Sequence, residues 1–170
     1  MAKGNVIWFG HHVYGKFKTN NAKALTITGA YASGVCKVLA PVDTGLLRSS
    51  ITYATALERG QATREKGTQA TEKDMIEKPD DDAKLKIGTA VEYAPHVEFG
   101  TKAHYPPPSA LKGWAKRVLG DAGLAYAVAK AMSRKKRKAQ SFLRVGILGN
   151  KRGIGRVYSQ AIKGLMNKNG

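Results

Sequence analysis

Cysteine is nearly absent: Cys36 stands alone in 170 residues. One thiol excludes an internal disulfide framework and any cysteine-rich metal knuckle. Long apolar runs are missing as well, and no stretch nears the roughly 20 residues that span a bilayer. The opening Met1-Ala2-Lys3-Gly4-Asn5 holds one lysine and no apolar segment of the signal-peptide kind. Synthesis in the cytoplasm, without a membrane partner, is therefore expected. Acidic residues are scarce: 12 against 29 lysines and arginines, a net charge of +17 and a pI of about 10.1. Eight of the 12 (Glu58, Glu65, Glu72, Asp74, Glu77, Asp80, Asp81 and Asp82) fall in one stretch, and after Glu98 only Asp121 is acidic. Such asymmetry turns one face or tail towards a polyanion. Aromatics are few, 8% of the chain, and do not interleave with the cations. That argues against base stacking; any nucleic-acid contact would be to the backbone and without sequence preference.

What is present reads as one α+β domain over residues 1–170, long enough to bury a core. Residues 1–18 mix apolar and aromatic groups without a period and read as a leading strand or arm. From Asn20, Leu25, Ala32, Val35, Cys36 and Leu39 share one helical stripe, ended by Pro41. Gly29 and Gly34 weaken that helix by roughly 1 kcal/mol each. Pro41-Val42-Asp43-Thr44-Gly45 is a tight turn, and from Leu47 to Leu57 large and small residues alternate as in a strand. Glu58 to Asp82 has almost no large apolar residues and reads as a mobile acidic loop. Leu85, Ile87, Thr89 and Val91 give a second strand; Tyr93 to Phe99 is either a bent edge strand or a helical turn. Ser109 is expected to cap a helix ended by Gly120. Asp121 opens another, with Leu124, Val128, Ala131 and Met132 on its stripe, running into Arg134-Lys135-Lys136-Arg137-Lys138. A short apolar segment, Ser141–Val145, precedes a last helix carrying Ile154, Val157, Ala161, Ile162 and Leu165.

Catalytic signatures do not assemble. His96-Val97-Glu98 matches the first part of a zinc-deaminase signature, but no cysteine follows to complete it. His11, His12, His96 and His104 lack the short spacings of a metal site. The glycines of 146–153 do not form a P-loop, since Lys151 sits between Asn150 and Arg152. Cys36 lies on the buried stripe of its helix, where a thiol behaves as a small hydrophobe. No catalytic residue, metal or cofactor is expected.

Three segments in order carry a resemblance. Ala40-Pro41-Val42-Asp43-Thr44-Gly45-Leu46-Leu47-Arg48-Ser49-Ser50-Ile51 follows a helix; Ile87-Gly88-Thr89-Ala90-Val91-Glu92-Tyr93-Ala94-Pro95-His96-Val97-Glu98-Phe99-Gly100-Thr101 comes next; Ser141-Phe142-Leu143-Arg144 precedes the last helix. The pattern resembles the tail-completion, or head–tail joining, family of siphovirus-type bacteriophages over roughly Ala22 to Asn167. The third segment departs from the family, which usually has proline where Ser141 and Val145 stand. The acidic loop is longer than the family's, and the helical pair 109–138 reads as an insertion.

The resemblance implies a long N-terminal helix, a small antiparallel sheet and C-terminal helices. It also implies a non-enzymatic virion protein at the neck or upper tail, in a ring that is commonly hexameric. Its implied partners are further copies of itself, the tail terminator, head-completion proteins or the tape-measure end, and viral DNA in the channel. Asp43, Thr44 and Gly45 would fix the turn, with Arg48 off the solvent or subunit face. Tyr93, Val97 and Phe99 would pack a connection against the sheet, and Gly100 would end it. Arg134, Lys135, Lys136, Arg137, Lys138, Arg144, Lys151, Arg152 and Arg156 are the candidate lumen- or DNA-facing cations. The charge alone supports a second expectation, a free, sequence-nonspecific nucleic-acid-binding protein.

Overall fold

The computed structural model describes residues 10–60 and 76–168. The architecture is α+β, as expected. Helix α1 (Gly10–Leu39) is followed by a short helix α2 (Leu46–Ser50) and strands β1 (Thr52–Thr55) and β2 (Leu85–Gly88). Then come α3 (Ala94–Phe99), α4 (Pro108–Leu119), α5 (Ala125–Arg134), α6 (Leu143–Leu148) and α7 (Lys151–Lys168). The chain divides into two compact units: residues up to Val91 together with Phe142 onward, and Glu92–Ser141. The helical pair 109–138 lies inside the second.

The first unit is organised on α1, which starts at Gly10 rather than Asn20. Residues 10–18 are therefore helical, not a strand or arm; residues 1–9 lie outside the described residues. Asn20, Ala24, Thr28, Ala32, Cys36 and Ala40 recur every fourth residue, and all are buried. The seam differs from the expected stripe: Leu25 and Val35 are half-buried and Leu39 is exposed. Small side chains win the interior because neighbours press on α1 from several directions. Strands β1 and β2 and helices α6 and α7 all pack against it.

Two glycines mark how near those neighbours come. A Cβ at Gly29 would lie 2.7 Å from Cδ2 of Tyr53 and 2.8 Å from Cδ1 of Leu85. One at Gly146 of α6 would lie 2.7 Å from Cys36 Sγ and 3.2 Å from Cys36 Cα. Gly29, a weakness in the helix by propensity, is a contact point for the sheet. Polar groups complete the packing. Tyr158 Oη of α7 donates to Asn21 Oδ1 at 2.7 Å, while Asn21 Nδ2 donates to the Asp82 carbonyl at 3.3 Å.

The alternation over 47–57 yields a strand only from Thr52 to Thr55. Residues 46–50 wind into α2 instead, because the Ser49 and Ser50 hydroxyls donate to the carbonyls of Leu46 and Leu47 at 3.0 and 2.8 Å. Leu47 and Ile51 are four apart and both buried, so a helical turn satisfies the same apolar pair. Strand β1 pairs antiparallel with β2, Thr52 opposite Gly88 and Thr55 opposite Leu85. On its other side the chain folds straight back: Thr55 N–H donates to Glu58 O and Gly60 N–H to Tyr53 O, both at 2.8 Å. The start of the expected loop is thus paired backbone, and 61–75 lie outside the described residues. Its far end is a turn in which the Asp81 carboxylate accepts the Ala83 N–H at 2.8 Å. That bond, aided by nearby Lys84 and Lys18, holds the Asp81 carboxyl below the usual range.

In the second unit α4 begins with Pro107 and Pro108 rather than a Ser109 cap. Proline at the first helical position costs no hydrogen bond there. Gly120, at φ 79°, ends α4 as expected. Asp121 then accepts the Gly123 N–H at 2.8 Å, capping a single 3-10 turn before α5. Helices α4 and α5 pack together with Ala115, Ala125 and Ala129 buried. The buried face of α5 is rotated from the expected stripe, leaving Leu124 and Ala131 exposed. Helix α5 stops at Arg134, and Lys135 is extended, so Lys136–Lys138 do not continue the helix. In the first unit the segment after Ser141 is itself a helix, α6, and α7 half-buries Ile154, Val157, Ala161, Ile162 and Leu165 as expected.

Two glycines of one helix should therefore respond oppositely. Gly29→Ala is expected to destabilise the protein by about 1–3 kcal/mol through overpacking. Gly34→Ala, whose Cβ would meet nothing within 4 Å, should stabilise it by about 0.5–1 kcal/mol. Urea midpoints at unchanged m-value test both.

Alkaline stability offers another check. Burial, then the bond from Tyr53 Oη to Glu58 Oε1 (3.0 Å) and that carboxylate's charge, push the Tyr53 phenol from 10.0 up to about 12. The unfolded chain ionises first, so the contribution is complete below the ordinary value and is lost as pH rises through the folded value. Stability should fall between those two pH values, and Tyr53→Phe should remove part of the fall in a pH series of urea midpoints.

Candidate functional site

The turn at 43–45 is built from its own backbone needs. Gly45 has φ 87°, a left-handed conformation open to glycine and costly for other residues. Its carbonyl accepts the Ser49 N–H at 2.9 Å, and Thr44 Oγ1 accepts the Leu46 N–H at 3.4 Å. Asp43, Thr44 and Arg48 are exposed around that turn, while Leu47 and Ile51 anchor it. Ser50 ties α2 to the end of β2 through a hydroxyl contact with Thr89 at 2.6 Å.

The second group of motif residues lies in the other compact unit, on α3. The segment is helical, which settles the open choice between strand and turn. In a strand, Tyr93, Val97 and Phe99 would share a face with period two. In a helix, Ala94 and Glu98 share the buried face instead, Val97 is half-buried, and Tyr93 (41%) and Phe99 (72%) are exposed. Phe99 and Tyr93 are therefore not packed as expected.

Gly100 does end α3, at φ 76°. A Cβ there would meet the Arg137 carbonyl oxygen at 2.5 Å and Ala139 N at 2.9 Å. This crowding has a purpose for the backbone. The carbonyls at the end of α3 have no helical donors; Val97 O accepts the Gln140 N–H and Glu98 O accepts Ser141 Oγ–H, each at 2.9 Å. Thr101 and Arg137 exchange both backbone bonds, at 3.2 and 3.0 Å. The basic tract 134–138 is thus partly a strap across the end of α3, with the side chains of Lys135, Lys136, Arg137 and Lys138 exposed.

The other cations belong to the first unit. Arg144 is exposed on α6, and Lys151, Arg152 and Arg156 are exposed on α7. The structure adds Lys163, which sequence reading missed. Arg152, Arg156, Ser159 and Lys163 stand at spacings of four, three and four on the outer face of α7. The signal was in the sequence as the polar complement of the apolar stripe, visible once the helix limits are known.

Among the described residues, no three His, Cys, Asp or Glu side chains gather to hold a metal ion. No helix among them is long and apolar enough to cross a membrane. In comparison with known proteins, no family model, no curated protein and no solved structure matches the chain.

The two positive-φ glycines separate turn geometry from crowding. Gly45→Ala, with open space around its Cβ, should cost about 1–2 kcal/mol, and Gly45→Asn less. Gly100→Ala should cost more than Gly45→Ala, because its Cβ also displaces the 137–139 backbone. Thermal unfolding of the three variants ranks them.

Proposed function

We propose that this chain is a structural, non-enzymatic subunit of a tailed-phage virion, acting in a ring of copies, commonly six, at the head–tail junction. The observation that carries the reading is the division between interior and surface. Buried apolar side chains are mostly alanines, such as Ala24, Ala32, Ala54, Ala115 and Ala129. Large apolar side chains stand exposed in groups: Val13, Tyr14 and Phe17 early in α1; Val38 and Leu39 at its end with Val42 just beyond; Val118, Leu119 and Leu124 around the Gly120 turn. Grouped exposed apolar residues mark surfaces that neighbours cover, as in a subunit that is finished only in its assembly.

The segments that carry the resemblance fit this reading. The 43–45 turn with Arg48, and α3 with Tyr93 and Phe99, both place side chains outward from anchored backbone. Such positions serve contact between proteins better than core packing. The partners are neighbouring copies, the tail terminator, head-completion proteins or the tape-measure end, and the protein is made in the host cytoplasm before incorporation.

Electron cryo-microscopy of particles from a phage carrying this gene tests the proposal. The expected result is ring density at the neck or upper tail that accommodates this chain, with unjoined heads and tails when the gene is deleted. Neck and tail densities that exclude the chain, or normal joining without the gene, would overturn it.

A further inference from the structure

From the outer face of α7 we infer a docking surface for the phosphate backbone of double-stranded nucleic acid, read without regard to sequence. This goes beyond the assembly role and stands on α7 alone. Arg152, Arg156 and Lys163 lie along the middle of the exposed face, with Ser159 between them. At a rise of about 1.5 Å per residue, the three cations span about 16 Å in a line along the helix. That length matches about five base-pair steps of a duplex strand at about 3.4 Å each.

No acidic residue stands on this line or on the helix beneath it. Helix α7 contains no acidic residue, and neither does α1, against which it packs. The ion pairs of Lys18 with Asp82 and of Lys84 with Asp81 leave the cations of α7 out. Three like charges along one helix face cost stability in isolation, a cost that a polyanion would reverse.

The composition of the face favours phosphate over an acidic protein. Its exposed members besides the cations are Gly155, Ser159, Gln160, Gly164 and Asn167, with Met166 the one large apolar residue. Protein interfaces have an apolar or aromatic centre; the centre here is guanidinium and ammonium charge, donors that contact phosphate, while the Ser159 hydroxyl donates to the Gly155 carbonyl at 2.9 Å. Gly155 adds an independent sign. A Cβ there would meet nothing within 4 Å, so packing does not require glycine inside this helix. Its absence of a side chain keeps the face low where a backbone would approach.

The test uses the full chain and labelled duplexes of about 30 base pairs, of two unrelated sequences, titrated between about 50 and 200 mM salt. Both duplexes should bind within about twofold of each other, since phosphate contacts carry no sequence information. Replacing Arg152, Arg156 and Lys163 together by glutamine should weaken binding about tenfold or more and flatten the log–log salt slope by about 3. The equal-charge control, Lys112→Gln with Lys116→Gln and Lys130→Gln at exposed positions of α4 and α5, should weaken binding by less than about threefold. Ser159→Glu alone sets a carboxylate between the cations and should weaken binding severalfold while circular dichroism stays unchanged. Equal losses from the two triple variants would overturn the inference. So would displacement of the duplex by polyglutamate at matched charge, which would show that phosphate is not selected.

Discussion

Close approach to α1 is the constraint on which the first unit depends. Asn20, Ala24, Thr28, Ala32, Cys36 and Ala40 form a seam with no bulky side chain, and two helices and two strands press against that helix. Packing of this kind gains from the many short-range contacts that a close approach allows rather than from the burial of a few large groups. It also explains the lone thiol. Cys36 Sγ fills the space that Gly146 leaves open, so the sulfur acts as a spacer between α1 and α6. Larger residues at either position would force the helices apart.

The same economy shapes the surface. A core of alanines leaves the large apolar residues outside, and the second unit repeats the pattern, with Ala115, Ala125 and Ala129 inside and Val118, Leu119 and Leu124 outside. Charge follows a comparable division. The acids among the described residues hold turns and hydrogen bonds, as Asp81, Asp121 and Glu58 do. Most of the lysines and arginines, by contrast, are spread over exposed helix faces. Cohesion and surface properties are therefore assigned to different residue types.

Much of this was legible in the sequence. Helical periodicity placed the second half of α1 and the apolar stripe of α7, Gly45 and Gly120 marked real turns, and β2 followed from alternation. The misses share a physical cause: period and propensity do not say which of two valid backbones the polar groups will choose. Ser49 and Ser50 bond back to carbonyls three residues earlier and convert an alternating run into α2. Phe99 reads as a core residue until α3 proves helical and turns it outward. The strap of 137–141 over the end of α3 was invisible because it consists almost wholly of backbone bonds between segments distant in sequence.

Connectivity gives α1 a further consequence, one of timing. The helix is made early, yet its partners α6 and α7 are made late. Asn20 and Leu165 stand 145 residues apart in the chain, and Asn21 and Tyr158 stand 137 apart. On a ribosome, α1 therefore emerges with its seam uncovered and cannot close it until the chain has passed through all of the second unit. Contacts at such separation slow folding, and a helix waiting that long is open to a chaperone or to another copy. A seam of small and polar residues is well suited to the wait, since it offers a wrong partner little apolar area to hold.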